Sequence, residues 1–293
     1  MATAAQWIQG ARLRTLPAAI APVLIGSAAA YEMGAFRPLN AVLAALVALL
    51  LQIGVNYAND YSDGIRGTDE DRVGPLRLVG SGAASPEHVK WAAFGAFGLA
   101  MLCGLALVVI TQAWWLILVG IGCVLAAWGY TGGKNPYGYL GLGDVFVFVF
   151  FGLVATLGTT YTQAGQLSLA AIIGAIGTGL IACALLMANN VRDIPTDRKA
   201  GKKTLAVRLG DKHARESYVL MLAIAILLVI VLAPARPWML IVLLLIPASL
   251  LPSWLMIAGR RRKSLIPVLK QTGLINLGYA TLFSLGLVLS HGL

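Results

Sequence analysis

The sequence predicts an all-α polytopic membrane protein, with nine transmembrane helices around a central cavity arranged as two four-helix halves plus a ninth helix. Three observations carry that expectation. Of the 293 residues, 59% are hydrophobic and only 12% charged, with a mean hydropathy of +0.82, which excludes an ordinary soluble domain. About nine apolar stretches approach the roughly 20 residues a helix needs to cross a bilayer. Lys and Arg gather on alternate connections, as they do where basic loops stay on the cytoplasmic side. Backbone inside lipid must pair its own polar groups, so the stretches read as helices.

The first four spans run over roughly 15–33, 39–58, 91–111 and 113–131. The second four cover roughly 145–163, 169–189, 217–235 and 237–258, and the ninth lies near 272–291. Arg12 and Arg14, followed by an apolar run and Ala28 to Ala30, mimic a secretory signal with an A-x-A site, but the segment reads better as the first span. No stretch separates the spans into soluble domains, so residues 1–293 are expected to form a single integral-membrane domain. Cys103, Cys123 and Cys183 lie within spans at unrelated spacings, and His88, His213 and His291 carry no metal motif.

With the amino terminus inside, the inner segments hold every Lys and Arg except Arg37 and Arg236, and eleven of the twelve acids, Glu32 being the exception. An integral inner (plasma) membrane protein is expected, its functional face toward the cytoplasm. The net charge of +10 follows from this topology, so no nucleic-acid partner is expected. Arg260, Arg261, Arg262 and Lys263 are placed to touch anionic lipid as well.

Two acidic clusters stand out in this apolar chain. NYANDYSD ends the second span with Asn56, Asn59, Asp60 and Asp63, and NNVRDIPTD ends the sixth with Asn189, Asn190, Asp193 and Asp197. Carboxylates cost about 2.5–3.5 kcal/mol each at a helix centre on insertion scales, so their presence calls for a use. Asn56, Asp60 and Asp63 recur at helical spacing, as do Asn189, Asp193 and Asp197, so each set lines one face if its helix persists; Pro195 is the position at which the second helix is expected to end or kink. Oxygen ligands without His or Cys suit a hard cation, and a few carboxylates beside a substrate phosphate is the usual Mg²⁺ arrangement. The expected metal ligands are Asn56, Asp60, Asp63, Asn190, Asp193 and Asp197.

Cations surround both clusters. Arg66, Arg72 and Arg77 follow the first, and Arg192, Arg198, Lys199, Lys202 and Lys203 flank the second, a supply of donors fit to hold a diphosphate. A third inner segment, YTGGKNPYGYLGLGD, contributes Tyr130 and Lys134 four positions apart, with Asn135, Tyr137, Tyr139 and Asp144 beyond them. A tyrosine face stabilises a developing cation, which makes Tyr130 and Lys134 the stronger pair. Tyr137 and Tyr139 read equally well as an interfacial aromatic belt.

Together these motifs resemble the UbiA superfamily of intramembrane prenyltransferases over nearly the whole chain. The carrying residues are Asn56-x-x-x-Asp60 with Asp63, Asp193-x-x-x-Asp197 and Tyr130-x-x-x-Lys134. Asp63 departs from the superfamily pattern by following Asp60 at three positions rather than four, with Asp69 and Asp71 nearby to assist. RLRTLPAAIAPVLIGSA, NDYSDGIRGTDEDRVGPLR and RDIPTDRKAGKKTLAVRLG are similar to the branch that prenylates 1,4-dihydroxy-2-naphthoate. The resemblance implies transfer from a polyprenyl diphosphate with decarboxylation, giving demethylmenaquinone, with two Mg²⁺ ions. It implies catalytic roles for Asp60, Asp193, Tyr130 and Lys134, and substrate binding by Arg12, Arg66, Arg77, Lys134, Arg192, Arg198, Lys202 and Lys203. Arg12 is assigned to the acceptor carboxylate.

Other readings compete. An aromatic acceptor such as 4-hydroxybenzoate or homogentisate is the nearest. Asp60-x-x-Asp63-Gly64 also resembles the start of the CDP-alcohol phosphotransferase signature, but no Ala-Arg pair follows and the second acidic pair lies in another span. An ion-coupled transporter needs acids near the midplane, whereas these sit at inner helix ends.

Overall fold

The computed structural model describes residues 2–67, 76–133 and 136–291, and all regular elements among them are helical. A short helix, α1 (Ala4–Gly10), is opened by a capping box in which Thr3 and Gln6 satisfy each other's backbone N–H. Arg12 then takes a left-handed backbone conformation, φ +53°, and turns the chain into α2 (Leu16–Glu32). Next come α3 (Pro38–Ile65), α4 (Pro86–Thr111) and α5 (Leu116–Gly129). The remaining helices are α6 (Gly143–Ala164), α7 (Leu169–Lys199), α8 (Leu205–Leu232), α9 (Pro237–Ile257) and α10 (Arg262–Ser290).

Eight of these segments are long and apolar enough to cross a membrane, counting α1 and α2 as one, and the remaining expected span, the fourth, is α5, a 14-residue apolar helix of about 21 Å. The chain is an integral membrane protein. Leucines and tryptophans such as Leu118, Leu250, Trp91 and Trp254 face outward more than half exposed, as a lipid-facing surface requires.

Two helix ends differ from the sequence expectation, and the same cause explains both. The second span continues to Ile65, which puts Asn56, Asp60 and Asp63 on one helix, and α7 does not end at Pro195 but continues through it to Lys199. Both ends project beyond the apolar run, where hydropathy no longer tracks the helix. A third difference lies in α8, which starts at Leu205 and is interrupted only at Gly210, φ +78°.

α7 is the central element: 67% of its most apolar stretch is buried, against 22% for α3. Its small residues permit that burial. A Cβ on Gly177 would lie 2.0 Å from the Tyr279 hydroxyl of α10, and one on Gly152 of α6 would lie 2.7 Å from Gly179 Cα of α7. The main core joins α2, α7, α8, α9 and α10 through residues such as Ile25, Ile181, Tyr218, Val242 and Phe283, and a second cluster, Ala58, Ala93, Phe97 and Ala127, ties α3 to α4 and α5. α10 returns to pack on α2, closing the circuit of helices.

Gly152→Val is therefore expected to destabilise the protein by about 1–3 kcal/mol through overpacking. Gly158, where an added Cβ meets nothing within 4 Å, is the control, and Gly158→Ala is expected to be neutral or stabilising. Thermal unfolding midpoints in detergent check both.

At the end away from the acids, polar contacts lock helix to helix. Asn40 Nδ2 donates to the Thr162 carbonyl, Gln163 Oε1 accepts from the Arg37 N–H at 3.3 Å, and Gln163 Nε2 donates to Ser27 Oγ at 3.0 Å. Arg236, at the α8–α9 turn, pairs with Glu32 at the end of α2.

Candidate active site

The last three turns of α3 carry the first acidic set. Asp60 is fully buried, and its two carboxylate oxygens accept backbone N–H groups from Leu78 at 2.8 Å and Val79 at 3.0 Å. Hydrogen bonds to a charged group contribute about 1.5–3 kcal/mol each, so Asp60 anchors the 76–80 segment over the helix end. Gly64 makes room for it, since a Cβ there would lie 2.4 Å from Val79 Cγ1. That is the physical reason a glycine follows Asp63.

Anchoring the segment delivers Arg77 to Asp63. Arg77 pairs with Asp63 Oδ2 at 3.2 Å, Tyr139 Oη donates to Asp63 Oδ1 at 2.7 Å, and Lys202 Nζ lies 3.5 Å from the same oxygen. Asp63 thus joins three segments far apart in sequence. Lys202 Nζ also sits 4.4 Å above the Tyr139 ring, and the Arg66 guanidinium lies 5.4 Å from it. Burial, then the charge of Asp63, raise the Tyr139 phenol above its ordinary value, so it stays protonated and donates. Burial pulls the Lys202 ammonium down, but Asp63, Tyr139 and Asp197 together outweigh it and its value is raised. Lys202 is charged throughout the physiological range.

α7 brings the second set. Asn190, Asp193 and Asp197 fall on one face, at i, i+3 and i+7, and Asn190 and Asp197 are nearly buried. Arg192 grips Asp193 with two bonds, Nε to Oδ1 at 2.7 Å and Nη2 to Oδ2 at 2.6 Å. Asp197 acts on Lys202, so one ammonium lies between the two acidic sets.

The other expected site residues divide. Arg66 donates to the carbonyls of Thr131 and Gly133, tying the end of α3 to the turn after α5, where Thr131 Oγ1 also donates to Asn59 Oδ1 at 2.7 Å. Tyr130 stands at that turn, its ring edge-on to Tyr137 at 5.6 Å. Arg12 lies within electrostatic reach of Asp60. Arg198 and Lys203 are exposed and are not drawn into the cluster by their side chains; Lys203 contributes only a backbone N–H, to the Tyr139 carbonyl at 2.8 Å. Lys134 lies outside the described residues, as do Asn135, Asp69, Asp71 and Arg72.

Asn56 also has a role the sequence did not announce. Its amide nitrogen donates to the Ala11 carbonyl and to Thr15 Oγ1, both at 2.9 Å, and Gln52 donates to the same hydroxyl at 3.0 Å. It secures the turn at Arg12 through its nitrogen, while its Oδ1, the atom a cation would take, accepts a 3.4 Å bond from Gln52 Nε2. Tyr139 is the residue that sequence reasoning underweighted: a tyrosine at a membrane interface looks the same whether it packs in the headgroup layer or reaches back to Asp63.

Among the described residues, no three Asp, Glu, His or Cys side chains converge on one point. Arginine, lysine, tyrosine and backbone N–H groups stand between the carboxylates. The donor set remains all-oxygen and anionic, as a hard cation demands, and the cations beside it are of the kind that can hold a polyphosphate.

A profile described as the UbiA prenyltransferase family matches residues 19–287. The chain belongs to the UbiA prenyltransferase family. A Mycobacterium tuberculosis protein named 1,4-dihydroxy-2-naphthoate octaprenyltransferase is 53% identical over 280 residues, covering 96% of each chain. The Haemophilus influenzae protein of the same name is 40% identical, covering 97% of this chain and 96% of that one. The fold of this family member also matches a UbiA homolog from Archaeoglobus fulgidus solved with DMAPP and Mg²⁺, with a TM-score of 0.68 at 17% identity, over 98% of this chain and 99% of that one.

Proposed function

We propose that the protein transfers a polyprenyl group from polyprenyl diphosphate to 1,4-dihydroxy-2-naphthoate with loss of CO₂, giving demethylmenaquinol, the reduced form of demethylmenaquinone, in menaquinone biosynthesis. The carrying observation is Lys202, on which the carboxylates of Asp63 and Asp197 both act. A diphosphate bound there meets both acidic sets at once. Relatives at 40–53% identity named for this reaction support the acceptor and the chemistry.

Asn56, Asp60, Asp63, Asn190, Asp193 and Asp197 are the residues to hold Mg²⁺, with two ions expected; Asn56 also secures the turn at Arg12. When bound, Mg²⁺ neutralises the diphosphate and makes it a better leaving group. Arg66, Arg77, Arg192 and Lys202 take the charge that develops on the departing oxygens, Arg77, Arg192 and Lys202 exchanging their present carboxylate partners for phosphate and Arg66 its carbonyl partners. Lys134 is assigned the catalytic and substrate-binding role beside Tyr130 that the family motif implies, and the exposed Arg198 and Lys203 form the approach. Tyr130 presents its ring to the allylic cation, and the apolar helix faces keep water from it. Arg12, at the turn into α2, holds the acceptor carboxylate. The whole chain, as one membrane domain in the inner (plasma) membrane, presents this site to the cytoplasm, and the prenyl tail stays in lipid, favoured by about 0.8 kcal/mol per buried CH₂.

An acceptor panel tests the reading. Purified protein in detergent, given one polyprenyl diphosphate and Mg²⁺ with no membrane gradient, is expected to prenylate 1,4-dihydroxy-2-naphthoate and release one CO₂ per product, and EDTA is expected to stop it. Prenylation with the carboxylate retained, or turnover only with 4-hydroxybenzoate, would reject the acceptor assignment.

A further inference from the structure

We propose that Asp144 is a further catalytic residue: it accepts the proton of the acceptor's ring hydroxyl beside the carboxylate and returns it after CO₂ leaves. The inference rests on the function proposed above. Asp144 opens α6 and is only 6% exposed, yet neither carboxylate oxygen has a hydrogen-bond partner among the described residues. An unsatisfied buried acceptor costs about 1–3 kcal/mol, more when charged, so a carboxylate kept in this state points to a ligand that completes it.

Its surroundings fit that ligand. A Cβ on the adjacent Gly143 would lie 3.2 Å from the Tyr130 ring and 3.6 Å from the Tyr130 hydroxyl. Asp144 therefore stands beside the ring assigned to the allylic cation. Cys183 Sγ of α7 donates to the Asp144 carbonyl at 3.2 Å, and Cys183 precedes Asn190 by two turns, about 10 Å along the axis. The start of α6 at Asp144 thus packs on α7 about two turns deeper than the acidic set begins. One turn on, the helix widens into a π segment, Phe148–Val154, a distortion frequent at functional sites.

The chemistry balances without any further reagent. Asp144 takes the hydroxyl proton, the naphtholate ring carbon bearing the carboxylate forms the C–C bond, and the allylic C–O bond breaks with its electron pair leaving on diphosphate. The ring is now a β-keto acid. Its C–CO₂ bond breaks, the electron pair passes to the ring oxygen as an enolate, and Asp144 returns the proton to that oxygen.

In the full-length protein in detergent, Asp144→Asn is expected to lower kcat by about 10²- to 10⁴-fold, the usual share of general acid–base catalysis. Binding of a non-reactive prenyl thiolodiphosphate with Mg²⁺ is expected to stay unchanged, and Asp144→Glu to recover part of the rate. Full kcat in Asp144→Asn, or an equal loss of donor-analogue binding in both variants, overturns the proposal. A wild-type protein that fails to prenylate 1,4-dihydroxy-2-naphthoate would instead remove the reading on which it rests.

Discussion

Replacing Asp63 with asparagine is expected to reduce prenyl transfer by about 10²- to 10³-fold, the scale on which removal of a preorganised electrostatic group acts. Asparagine keeps the shape, and its carbonyl still accepts the Tyr139 hydroxyl. What disappears is the charge that gathers Arg77 and Lys202. Two cations left facing each other across a nearly buried position repel, so the diphosphate cradle opens. Steady-state turnover reads the loss, and the thermal midpoint separates it from unfolding. An Asp63→Asn protein with wild-type turnover would show that Asp63 only ties loops together.

A comparable effect is expected from Asp60→Ala, for two reasons that separate experimentally. Its carboxylate holds the Leu78 and Val79 N–H groups, and losing it leaves two donors unpaired beside the helix end. Amide exchange at Leu78 and Val79 is expected to quicken, and Arg77, carried by the same segment, to lose its register with Asp63. Turnover is expected to fall by at least about 10²-fold, from lost cation binding as well as lost geometry. Asp60→Asn retains one acceptor oxygen, so it should protect one amide and still lose transfer. Unchanged amide exchange together with undiminished turnover would remove Asp60 from both roles.

Hydropathy made the helices legible because lipid leaves the backbone no alternative, and charge asymmetry gave the chain its direction. The acidic sets were legible for a related reason: Asp60, Asp63, Asp193 and Asp197 have no cheap explanation in an apolar chain. What escaped was every contact that depends on how loops fold back. Nothing in sequence announces that Leu78 and Val79 will offer their N–H groups to Asp60, that Asn56 will turn its amide toward Ala11 and Thr15, or that Tyr139 and not its neighbour Tyr137 reaches Asp63. Those outcomes are decided by closure of segments more than ten residues apart. Arg198 and Lys203 err the other way: proximity in sequence to Asp197 and Lys202 did not bring their side chains inward.

The locked end of the bundle acts as a fulcrum. Near Pro38, α3 is fastened to α6 through Asn40 and Thr162 and through Arg37 and Gln163, while its other tip bears Asp60 and Asp63. A 28-residue helix is about 42 Å long, so a lean of only 3° about the fastened end swings the acidic tip by about 2 Å. That sweep is about the difference between a carboxylate held by guanidinium and one released to an incoming phosphate and its counter-ion. With one rim bolted, a change of pitch that small would be enough to exchange partners at the other.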